Sequence, residues 1–73
     1  MPDFNSHEWH EVIHSITIVQ DVLQRHVLET RPVLGTRKIL RHVEAIAEEL
    51  GALYQAAGDK MGKAARREEK AHA

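Results

Sequence analysis

A chain of 73 residues holds one domain at most, because so short a chain buries too little of its unfolded surface to support two cores. Hydrophobic residues make up 42% of it and aromatic residues only 4%, so burial must come from Ile, Leu and Val, and the absence of cysteine excludes a disulfide framework and a thiolate zinc site. A net charge of −1 at pH 7 selects no partner by itself, which leaves association with other copies of the chain as the expected source of stability.

The first predicted element is a helix over about 5–29. Asn5 can cap it, Glu8 stands three residues on as the reciprocal partner, and Phe4 and Trp9 occupy the two hydrophobic-staple positions. Trp9, Ile13, Ile16, Leu23 and Val27 then recur with helical period, and Val12 and Val19 broaden the stripe. The stretch from Val12 to Val22 is rich in β-branched residues, but strand-like alternation fails where Val12 and Ile13, and again Ile18 and Val19, stand side by side. Gln20 falls on a seam position, where a polar residue fixes register at a cost in stability.

Residues 30–36 are predicted to turn. Arg31-Pro32-Val33-Leu34-Gly35 interrupts the period, and Thr36 is a candidate cap for the next helix. That second helix is predicted over about 36–57, with Ile39, Val43, Ile46, Leu50, Leu53 and Ala57 on one seam and Leu40, Ala47 and Tyr54 widening it. Gly58 and Gly62 punctuate its end. Residues 59–73 form a charged, mildly basic tail, frayed or helical, with no apolar seam to bury. The predicted fold is therefore all-α: residues 1–58 form a two-helix antiparallel hairpin. Ile18 and Val22 lie off the main stripe, so the hairpin is expected to dimerise into a four-helix bundle that covers them. In outline the chain resembles the Rop-type RNA-binding proteins, two-helix hairpins that pair as antiparallel four-helix bundles; the likeness is one of organisation, carried by no shared motif.

Two clusters carry candidate chemistry. The chain has six histidines, and His7, His10, Glu11 and His14 are three or four residues apart, so they project from neighbouring turns of one helix face and could hold zinc or another divalent transition metal. His10-Glu11-Val12-Ile13-His14 resembles the HExxH signature of zinc metalloproteases, but the likeness covers those five residues alone and no substrate-holding strand is predicted. Glu11 with His14, and Glu69 with His72, also fit the ExxH spacing of ferritin-like diiron proteins. Read plainly, the same face is solvated helix surface.

The second cluster is a basic island at the predicted turn, where Arg31, Arg37, Lys38 and Arg41 stand unopposed beside His42, Arg25 and His26. Three of these cations fall in the first turns of the second helix, where the helix dipole is already positive, so an external anion such as nucleic-acid phosphate or an acidic protein surface would relieve them. Neither Ser6 nor Ser15 sits in a nucleophile turn with an ordered base, no glycine loop suits a phosphate, and no catalytic residue is assigned. The sequence predicts a small non-enzymatic interaction or regulatory protein acting as an oligomer, with a metal-binding helical module as the alternative. Neither a signal peptide nor a membrane span is expected, which makes the cytoplasm the predicted compartment.

Overall fold

The structure is a computed structural model that describes residues 4–72. The described elements are all helical, with no strand among them: α1 spans Ser6–Val22, a π-helical segment Leu23–Leu28, α2 Arg31–Gly35 and α3 Arg37–His72. No helix among the described residues is long and apolar enough to cross a membrane.

Helix α1 begins as its sequence dictates. Asn5 is extended at φ −78° and ψ 168°; its side chain accepts from the Glu8 backbone N–H at 2.8 Å, while Glu8 Oε1 accepts from the Asn5 N–H at 3.2 Å. Two N–H groups that a helix start leaves orphaned are thus satisfied reciprocally. Phe4 and Trp9 close the staple edge to face, their ring centroids 6.0 Å apart and their planes at 86°.

After Val22 the winding widens. Glu29 N–H bonds to the Gln24 carbonyl at 3.2 Å, an i to i+5 bond. This π segment replaces the α-helical continuation expected to residue 29. The adjacent Val27 and Leu28 are both half-buried in it, and Leu28 lies beside Ala47 and Leu50 of the last helix. The chain then reverses through α2, where Pro32 sits in the first turn, a place at which its missing N–H costs nothing. Residues expected to be a plain turn are therefore a single helical turn, and Thr36 follows in extended conformation with its carbonyl accepting from Leu40 N–H at 2.9 Å.

Helix α3 has 36 residues, a length of about 54 Å at the usual rise, and it accounts for the 56 Å long axis of the molecule. It does not stop at Gly58 or Gly62, because neither glycine takes a positive φ and both lie in the helix. The expectation that this tail has nothing to bury is corrected: Ala64 is 1% exposed, the least exposed of the core residues. Alanine carries little hydrophobic signal in a sequence, but its small side chain lets a neighbouring helix come close, and it is buried by that proximity. The tail is also tied down. Glu68 accepts from the Ser6 backbone N–H at 2.9 Å and from the Ser6 hydroxyl, and Arg67 donates to the Phe4 carbonyl at 3.3 Å. The start of α1 thus lies against the end of α3.

The packing divides the second apolar stripe. Val43, Ala57 and Ala64 are buried and Leu50 is half-buried, at intervals of seven, and this row faces α1, whose Ile16 is the fourth buried core residue. Ile39, Ile46 and Leu53, also seven apart, form a parallel row that stays about half exposed. Gly51 lies outside both rows, and a Cβ added there meets nothing within 4 Å. Gly51→Ala should therefore stabilise the fold by about 1 kcal/mol, the helix-propensity difference, read as a higher urea midpoint. A lower midpoint would show that another chain packs against that glycine.

Candidate interaction surfaces

One face of the α1–α3 pair is apolar and open. On α1 it carries Val12 and Val19, seven residues apart and 42% and 50% exposed; on α3 it carries Ile39, Ile46 and Leu53 at 47–51%. Where the two helices meet, Val12, Ile16 and Val19 of α1 and Leu50 and Leu53 of α3 line a shallow hollow of about 650 Å³, rimmed by Glu8, Glu11 and Ser15 and closed at one end by Phe4. A second hollow of about 550 Å³ continues it along α3, with His42, Ala45, Ile46 and Glu49 joining Leu50 and Leu53. The opposite flank differs in character, being lined by Gln20, Gln24, Leu28, Glu44, Ala47 and Glu48 around smaller apolar contacts. The half-buried Gln20 looks toward that flank, beside Leu23 and Leu50.

The chain exposes more surface than its mass requires. The molecule presents 6023 Å² to solvent, against about 4,600 Å² for a compact monomer of its mass. Its radius of gyration is 16.5 Å, where a compact domain of the same length has about 11 Å.

The histidine face lies elsewhere. His7, His10, Glu11 and His14 are all exposed; of the four, Glu11 alone reaches the rim of the α1–α3 hollow. His7 Nε2 stands 3.3 Å from Glu11 Oε1, a helix-surface pair of small energetic weight. Among the described residues no three His, Asp or Glu side chains converge on a common point, so the structure does not bring these four together as a ligand set within one chain. The side chain of His72, the partner of Glu69 in the second ExxH spacing, lies outside the described residues.

The basic island is placed where the sequence put it, at the reversal. Arg31 opens α2, and Arg37, Lys38 and Arg41 occupy the first turns of α3; all four are exposed, and none has an ion pair among the described residues. Arg25 belongs to another arrangement, pairing with Asp21 at 2.9 Å.

The structure adds a cluster that sequence reasoning passed over. At the other end of the molecule, Lys60, Lys63, Arg66, Arg67 and Lys70 surround the Phe4–Trp9 pair in a hollow of about 370 Å³. The signal was present in the three- and four-residue steps of Lys60, Lys63, Arg67 and Lys70, but residues with no apolar seam were read only for their mean charge. No protein family, no curated protein and no solved structure matches this chain, so its likeness to the Rop-type hairpins stays one of outline.

Two measurements probe these ends. Replacing Arg37, Lys38 and Arg41 together by Gln removes three like charges from a positive helix end, so the melting temperature should hold or rise, by about 0.3 kcal/mol per residue in stability. A clear fall would reveal structural ion pairs to a second chain. Glu68→Ala removes the carboxylate that accepts from Ser6, and charge-assisted hydrogen bonds of this kind are worth about 1.5–3 kcal/mol each. Chemical denaturation should show a loss in that range, with the earliest amide exchange at Ser6 and its neighbours.

Proposed function

We propose that the protein is a non-enzymatic interaction protein that works as a homodimer. In this reading α1 and α3 form an antiparallel hairpin, and two hairpins bury their Val12, Val19, Ile39, Ile46 and Leu53 faces against each other as a four-helix bundle. Seven-residue spacing is the pattern of helices that pack knobs into holes along their whole length. The observation that carries the reading is the surface excess of about 1,400 Å² over a compact monomer. Covering that much on each of two chains buries about 2,800 Å², the size of an obligate homodimer interface.

Such an assembly acts through its outside. The open hollows are aliphatic with a carboxylate rim, a composition suited to helix packing rather than to paired acid and base chemistry. The bundle would be a rigid rod that displays charged ends to a macromolecular partner.

Light scattering on the untagged protein should give twice the 8.3 kDa chain mass, with a melting temperature that rises with concentration. Ile46→Asp and Leu53→Asp place a charge on the outward row without touching the Val43 row, so each should shift the protein toward monomer and lower its melting temperature. A wild-type chain that folds cooperatively as a monomer at micromolar concentration would overturn the reading.

A further inference from the structure

The geometry points to a second binding site, for single-stranded nucleic acid, in the hollow between the Phe4–Trp9 pair and the basic row at the end of α3. Successive cations in that row stand three or four residues apart, about 5 Å along the helix axis, and Phe4, the aromatic ring beside them, is 46% exposed.

Three observations favour a ligand here over a merely solvated helix end. Lys60, Lys63, Arg66 and Lys70 have no ion pair among the described residues. Of the acids close to them in sequence, Asp59 and Glu69 form no ion pair among the described residues, and Glu68 is turned to α1, where it accepts from Ser6. Arg67 donates to the Phe4 carbonyl at 3.3 Å and so fixes the aromatic pair against the cations. The negative end of the α3 dipole favours Lys70, which lies in the last turn, and the cations before it are hydrated until a ligand binds.

The combination selects the class of partner. Cations alone would suit any polyanion. An aromatic floor with a cationic rim suits a chain that alternates phosphates with flat bases, because each base can stack on a ring while its phosphates meet Lys or Arg, with little preference for sequence. A bilayer surface would engage the exposed Phe4 but not the half-buried Trp9, and binding of an acidic peptide does not require the aromatic face. Its cations lie at the end of α3, off the Val12–Leu53 face, and Phe4 alone lines both hollows, so the charge variant below tests the site separately from dimerisation.

Trp9 is the single tryptophan of the chain and lines the hollow, which makes its fluorescence a direct reporter. Titrating a short oligothymidylate into the full-length protein should quench Trp9 saturably. The logarithm of the affinity should fall with the logarithm of salt concentration with a slope of about −2.8, as expected for four phosphates neutralised on a single strand. A Lys63→Gln, Arg66→Gln, Lys70→Gln variant, its helicity checked by circular dichroism, should bind about 100-fold more weakly at about 0.1 M salt and show a shallower slope. Phe4→Leu keeps an apolar staple but loses the ring, and should weaken oligothymidylate about tenfold while leaving inorganic polyphosphate unaffected. The proposal is overturned by an absence of quenching, by undiminished binding in the charge variant, by equal effects of Phe4→Leu on both ligands, or by tighter binding to phosphatidylserine vesicles than to the oligonucleotide.

Discussion

The close approach of α1 to α3 rests on a row that shrinks along α3, from Val43 and Leu50 to Ala57 and Ala64. The bond from Ser6 to Glu68 sets the register at one end and places the bulky Trp9 near the level of Ala64 and Ile16 near Ala57. Large side chains on one helix thus oppose small ones on the other, which is how packed helices reach interior density without voids. This complementarity explains why α3 stays helical through Gly58 and Gly62. Their propensity cost, about 1 kcal/mol each against alanine, is offset by tertiary contact along the far half of the helix, since packing supplies most of the stability of a helix in a protein.

That solution has a consequence for the rest of the surface. A helix offers two heptad rows side by side, and α3 spends one of them on α1. The other row, Ile39, Ile46 and Leu53, is as apolar as the first but has no partner within the chain, and Val12 and Val19 continue the same face across the groove. A pair of helices can satisfy only the stripe between them; a third and fourth are needed to close a bundle around the flanks. The opposite flank is different, carrying the polar Gln20, Gln24, Glu44 and Glu48.

Much of this was legible in the sequence, and the unread parts share one cause. The capping box and staple are strong local signals because each residue bonds a neighbour a few positions away, and the structure reproduces both. The helical period of each stripe was equally plain, yet periodicity alone could not divide the wide α3 stripe into an inward and an outward row; only the register against α1 does that. The continuation beyond Gly58 was hidden because Ala57 and Ala64 are buried by proximity, and proximity leaves no mark in hydropathy. The π winding at Leu23–Leu28 has no sequence signature that we can name. For the candidate sites, the histidine spacing put His7, His10, Glu11 and His14 on neighbouring turns of α1 but could not say whether their side chains converge, which among the described residues they do not. The basic hollow combines residues more than fifty positions apart, so neither its aromatic half nor its cationic half announced the other.

The near-neutral charge of the chain conceals how its fields are arranged. Glu44, Glu48 and Glu49 lie in the body of α3, while cations gather at the reversal and again toward the end of α3. The long axis is 56 Å, and at physiological salt exposed charges are screened beyond about 8–10 Å. An acid at mid-length therefore does little to neutralise a cation at either end, and a partner approaching one end meets that end's potential rather than the sum of −1. For an elongated protein the global isoelectric point is a poor guide to what it binds; the local field governs the encounter, and at both ends of this molecule it is positive.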